Sequence, residues 1–139
     1  MLRIQESLKK LKESGSKLII ITNCVHVTQS KRLENSGILS IIDTFFTSES
    51  VGYPKPHPKM FLDSRDYLES INCPTEEIWV IGDGLESDVS GAFNVGFNTC
   101  WITHKNGEKL NKIENNYPTI IVNSFVEFCD FYLDIKSKI

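Results

Sequence analysis

Residues 80–91, V-I-G-D-G-L-E-S-D-V-S-G, set two aspartates five positions apart. Asp83 ends an apolar run and Asp88 opens the segment that follows. Two carboxylates so placed can converge on one hard cation, because magnesium takes oxygen ligands and keeps several waters, so that one or two carboxylates suffice. Gly82 and Gly84 permit the sharp turn this needs. Asp88 alone has another reading, a helix cap, but that reading leaves Asp83 without a role. Lys55 stands between Pro54 and Pro56, which restrict the backbone on both sides of one ammonium group. A fixed cation offsets the charge of clustered carboxylates and phosphate; the alternative is an ordinary loop lysine. Thr22 and Asn23 follow the run KLIII. A hydroxyl and the next backbone N–H groups can hydrogen-bond phosphate oxygens, although a threonine there is commonly only a turn residue.

Such groups must be carried by a scaffold, and the hydrophobic pattern supplies one. Residues 2–14 read as an amphipathic helix, with Ile4, Leu8 and Leu11 at helical spacing and Gly15 as the stop. Residues 17–22 form a short, continuously apolar strand, expected to be buried on both faces as in a parallel sheet. A helix over 28–36 ends at Gly37, a strand covers 44–47, and a Pro-rich loop covers 52–58. Pro58 opens a helix through Phe61, Leu62 and Leu68. Residues 78–82 form a second apolar strand, followed by a short helix from Ser87 to about Gly96 and two more strands over 99–103 and 119–122. Ser124 and Glu127 make a capping box for the last helix, whose stripe Phe125, Phe128, Cys129, Tyr132 and Leu133 packs on the sheet. Strands alternating with helices define an α/β fold with a largely parallel sheet. In such sheets chemistry gathers at the carboxyl ends of the strands, where all three motifs stand.

Bulk composition narrows the classes. The 139 residues suit one domain, 1–139, and 40% hydrophobic content is enough for a core. A net charge of -3 argues against nucleic acid as partner, since the only basic cluster, Lys9, Lys10 and Lys12, is interleaved with Glu6 and Glu13 on a helix face. No stretch approaches the roughly 18 apolar residues of a membrane span, and the first residues carry no secretory pattern. The four cysteines, 24, 73, 100 and 129, form no C-x-x-C pair, and His26, His57 and His104 are scattered. They suggest neither a disulfide framework nor a zinc site, so a reducing cytoplasm is the expected compartment.

The order Thr22, Lys55, Asp83, Asp88 resembles that of the haloacid dehalogenase (HAD) superfamily, in the branch with a helical cap between its first and second motifs. Thr22 matches the second motif, Lys55 the third, and Asp83 with Asp88 the fourth. The stretches VGYPKPHPKMF, IGDGLESDVSGAFNVGFNTCWI and PTIIVNSF are similar to bacterial pyrimidine 5'-nucleotidases of that superfamily. The resemblance implies a Rossmann-like three-layer core and hydrolysis of a small phosphorylated substrate. Thr22 and the Asn23 amide would hold the phosphoryl oxygens, Lys55 would offset charge, and Asp83 with Asp88 would help hold Mg2+. It also implies a D-x-D motif after the first strand, supplying nucleophile and acid/base. The first aspartate here is Asp43, which precedes a strand. The core is thus expected to be incomplete, without its first, central strand, its nucleophile and its cap. Magnesium binding should then be weak and the chain inactive alone, completed by an upstream polypeptide that carries the first motif and cap. The alternative is a stand-alone non-catalytic protein with a weak phosphate or magnesium site or an interaction role. A response-regulator receiver is set aside, because its phosphoacceptor should precede its Thr and Lys. With the central strand absent, residues 18–21 are expected to pair directly with 79–81, shifting Thr22 and Asp83 towards each other.

Overall fold

The computed structural model describes residues 2–103 and 120–138. His104 and Thr119, the first residue of the expected last strand, lie outside them. The chain forms two compact units, Met1–Pro54 with Val126–Ile139, and Lys55–Phe125.

The first unit opens with α1 (Leu2–Glu13), which buries Ser7, Leu8 and Leu11. Gly15 ends it as expected: its φ of 96° is open to glycine, and the Ser16 N–H returns to the Leu11 carbonyl at 3.0 Å. The strand β1 (Ile19–Thr22) leads through α2 (His26–Asn35) to β2 (Thr44–Thr47), which pairs with β1 in parallel, Ile19 opposite Thr44 and Thr22 opposite Thr47. Asp43 fixes that register from the amino ends of both strands. One oxygen takes the Lys12 ammonium at 2.7 Å and the other takes the Leu18 N–H at 2.6 Å. Burial works against the charged Asp43 carboxylate, but the Lys12 and Leu18 hydrogen bonds and the charges of Lys12 and Lys17 outweigh it and hold its pKa below 3.8. A single-turn helix, α3 (Ser48–Val51), follows β2 at once. It was not expected from the sequence; Thr47, fully buried, and Ser50 cap it reciprocally. The helix α6 (Phe125–Ser137) starts directly after Ser124, as expected, and buries Phe128 and Cys129. Burial, reinforced by the Asp130 charge and only partly offset by a hydrogen bond with Ser7, pushes the Cys129 thiol up to about 12.

The second unit contains α4 (Lys59–Ser70), whose Met60, Phe61, Ser64 and Leu68 face inward at helical spacing. Pro58 is its cap residue and contributes the first carbonyl, accepting from Leu62 N–H at 2.9 Å. A short 3-10 turn at Thr75–Glu77 precedes β3 (Trp79–Gly82). Beyond β3 the helix expected from Ser87 starts earlier and is wound wide, as a π-turn over Leu85–Ser90, and passes into α5 (Gly91–Asn94). The strands β4 (Asn98–Ile102) and β5 (Ile120–Val122) complete a parallel sheet in the order β3-β4-β5.

Every ladder among the described residues is parallel, and helical segments link β1 to β2 and β3 to β4, which is the expected Rossmann-like α/β architecture. Two expectations fail. The ladder between residues 18–21 and 79–81 does not form, because β1 and β3 belong to separate sheets. Each satisfies one edge with the next strand in the chain, β2 for β1 and β4 for β3. For the same reason β1 and β3 are half-buried instead of fully enclosed, whereas β4, flanked on both edges, buries Thr99, Cys100 and Trp101.

Candidate active site

At the carboxyl edge of the first unit's sheet, Thr22 closes β1 and Asn23 is exposed just beyond it. The loop after Asn23 is tied down by α3. The Cys24 carbonyl accepts from the Glu49 N–H and the Ser48 hydroxyl, both at 3.4 Å, and a Glu49 carboxylate oxygen accepts from the His26 N–H at 3.3 Å. His26 stacks on Phe45, ring centroids 4.8 Å apart. Helix N-termini attract anions, and at α2 the chain's own Glu49 takes one of the first amides. The sequence did not point to Ser48 or Glu49, because nothing in it announced a helix so soon after β2.

At the carboxyl edge of the second unit's sheet the sequence-derived residues do meet. Lys55, at the start of the Pro-flanked loop, forms an ion pair with Asp88 Oδ1; the two side chains are only 10% and 12% exposed. The Lys55–Pro56 peptide is cis. The other Asp88 oxygen accepts the Gly84 N–H at 3.2 Å, while the Gly84 carbonyl accepts from both Asp88 N–H (2.9 Å) and Val89 N–H (3.1 Å). Asp88 is therefore not the N-cap of the following turn; it closes the loop back onto Gly84. Glycine at 82 and 84 is a matter of room as well as of turning. A Cβ on Gly82 would lie 2.7 Å from Asp88 Cγ, and one on Gly84 would lie 3.1 Å from Asp88 Oδ2. Asp83 is exposed; its backbone carbonyl accepts from Trp101 Nε1 at 3.1 Å, which pins the end of β3 to β4. Trp101 had been read only as a strand residue, and its indole N–H gave no sequence signal of this task.

The donor set fits a magnesium ion on one side only. The Asp83 carboxylate makes no hydrogen bond among the described residues and is open to solvent, whereas both Asp88 oxygens are engaged. No cluster of three or more His, Cys, Asp or Glu side chains able to hold a metal occurs among the described residues. Magnesium keeps several waters and is commonly held by one or two carboxylates together with substrate phosphates. Thr22 and Asn23 belong to the first unit, and Lys55, Asp83 and Asp88 to the second.

Parallel ladders, acids just past a strand end and a lysine locked onto one of them agree with the wider comparison. A sequence profile of the haloacid dehalogenase-like hydrolases matches residues 2–102, and the chain belongs to that family. It is 36% identical over 123 residues to the pyrimidine 5'-nucleotidase YjjG of Escherichia coli, covering 87% of this chain and 52% of that protein. It is 35% identical over 97 residues to a glyceraldehyde 3-phosphate phosphatase of Pyrococcus abyssi, covering 70% and 40%. Among solved structures, the magnesium-bound HAD-hydrolase YfnB of Bacillus subtilis superposes with a TM-score of 0.81 at 27% identity, over 96% of this chain and 56% of that one. The chain thus spans about half, or less, of the length of these relatives. No helix among the described residues is long and apolar enough to cross a membrane.

Proposed function

We propose that this chain supplies the second, third and fourth motifs of a HAD-type phosphomonoesterase, with a nucleoside 5'-monophosphate as the first substrate to test. The observation that carries this reading is the Lys55–Asp88 pair, nearly buried and set beyond the carboxyl end of β3. A purely structural ion pair has no reason to be at that edge, next to an open Asp83. The relatives named for their substrates, a pyrimidine 5'-nucleotidase and a glyceraldehyde 3-phosphate phosphatase, share the phosphoric monoester and differ in the leaving group, so the ester is the firmer part of the proposal.

In this reading Thr22 and the Asn23 amide bind two phosphoryl oxygens. Lys55 lowers the cost of gathering negative charge, and Asp88 orients it. Asp83 is the carboxylate free to hold Mg2+; Asp88 contributes to the metal only by sharing an oxygen that now serves Lys55 or Gly84. Magnesium, when bound, polarises a phosphoryl oxygen and neutralises charge in the transition state. Residues 1–42 contain no aspartate, and the attacking carboxylate and acid/base are proposed to come from a further polypeptide segment bearing a D-x-D motif and a helical cap.

The test is an assay of the purified 139-residue chain with magnesium against p-nitrophenyl phosphate and pyrimidine nucleoside monophosphates. The expected result is no turnover above background, and turnover on addition of a polypeptide carrying the first motif and cap. Clear turnover by the chain alone, lost in Asp83→Asn, would overturn the division of labour.

A further inference from the structure

Gly91 has no conformational reason to be glycine. Its backbone is α-helical, φ -59° and ψ -45°, a setting in which alanine is favoured over glycine. The reason lies in what approaches it. A Cβ at position 91 would lie 2.5 Å from Cε2 and 2.9 Å from Cζ of Phe61, and 3.3 Å from Cβ of Pro56. Phe61 cannot swing away: it is completely buried and packs edge-on against Phe97, centroids 6.4 Å apart. Pro56 follows Lys55 directly, and Gly91 comes three residues after Asp88, one helical turn along the same face. The same two segments therefore meet twice, through Pro56 with Gly91 and through Lys55 with Asp88.

We propose that Gly91, seated against Phe61 and Pro56, is a positioning residue that sets the depth at which the Pro-flanked loop docks and so delivers the Lys55 ammonium to Asp88. The apolar contact fixes the distance between segments, and the ion pair reads it out. A methyl group at 91 would move Pro56 outward with Lys55 attached. A smaller side chain at 61 would let the helix and loop close again. The role assigned to the Lys55–Asp88 pair rests on the functional reading above, but the mechanical coupling does not.

The experiment compares wild type, Gly91→Ala, Phe61→Leu and Phe61→Leu/Gly91→Ala in the full chain. Each lysine is labelled with an amine-reactive acetylating reagent and followed by mass spectrometry, alongside thermal melting. In wild type Lys55 should label more slowly than the exposed Lys9 and Lys10. In Gly91→Ala the Lys55 rate should rise roughly five-fold while Lys9 and Lys10 stay constant, and in the double variant it should fall back to the Phe61→Leu rate. A folded Gly91→Ala with an unchanged Lys55 rate overturns the proposal, and so does a uniform rise at all lysines, which marks a merely structural role. If Gly91→Ala does not fold, recovery of fold and slow labelling in the double variant supports the proposal, and failure to recover them refutes it. Titration of wild type with inorganic phosphate, read at the Thr22 and Asn23 amides, separates the two ideas. Silent amides beside a Gly91-dependent Lys55 would sink the phosphate reading and leave the positioning role intact.

Discussion

The two units carry the same small device at opposite ends of their sheets. In the first, Asp43 gives one oxygen to Lys12 and the other to the Leu18 N–H. In the second, Asp88 gives one oxygen to Lys55 and the other to the Gly84 N–H. The chemistry is identical down to the kind of donor on each oxygen. The first device precedes Ile19 and Thr44, where β1 and β2 begin, and it sets register. The second follows Gly82, where β3 ends, in the place where α/β proteins collect ligands. An aspartate–lysine pair thus says little about function until its end of the sheet is known.

Separating the devices by mutation should sharpen this contrast. The largest effect on stability is expected from Lys55→Met. It strands a carboxylate that is only 12% exposed, and breaking a buried pair from one side costs about 3 kcal/mol or more; urea denaturation of the chain measures it. A loss below about 1 kcal/mol would mean that water reaches Asp88 and that the pair is not truly enclosed.

Asp43→Asn comes next. Losing a charge-assisted hydrogen bond to Lys12 and weakening the one from Leu18 should cost about 1.5–3 kcal/mol at pH 7. The sign of its pH dependence follows from the lowered pKa. A carboxylate with a native pKa below its unfolded value binds fewer protons when folded, so its contribution is full above pH 3.8 and is lost as the pH falls through the lowered native value. The gap between wild type and Asp43→Asn should therefore be constant from pH 5 to 7 in urea melts and close in the acid range below 3.8. A gap that widens on acidification would break the assignment.

Much of this contrast was legible in the residues. Asp83 and Lys55 stood out because Gly and Pro flank them, Asp88 because it follows Asp83 by five positions, and every strand was marked by a short apolar run. Asp43 was visible only as the first aspartate, since its partners Lys12 and Leu18 come from residues 31 and 25 positions away and local pattern carries no such pairing. The π-turn was hidden for a different reason. Hydrophobic spacing marks a helical face but does not say whether the Gly84 carbonyl accepts from the fourth amide, the fifth or both. The unformed ladder between β1 and β3 shows a third limit: an apolar run marks a buried strand but does not say which strand it pairs with.

Smaller effects complete the series. Lys12→Met removes a lysine whose side chain is 35% exposed, and a partly solvated pair is worth about 0.5–1 kcal/mol; a larger loss in the same urea melts would place it with the buried class. Asp83→Asn should leave stability within about 0.5 kcal/mol, as surface substitutions do, yet abolish the weak magnesium binding that calorimetry of the wild type is expected to show. Micromolar affinity in wild type, or binding that survives Asp83→Asn, would contradict the one-carboxylate site.

The wide turn over Leu85–Ser90 has a consequence of its own. Because one carbonyl, that of Gly84, serves two successive amides, this stretch is an α-helix that has absorbed one surplus residue. Surplus length is slack that a chain can give up. Excising the exposed Glu86 would let the turn tighten to ordinary winding without cutting into β3 or α5, but it would rotate Asp88 away from the Gly84 amide by about 100°. Fold and site would then part company, the first surviving a one-residue loss that the second does not.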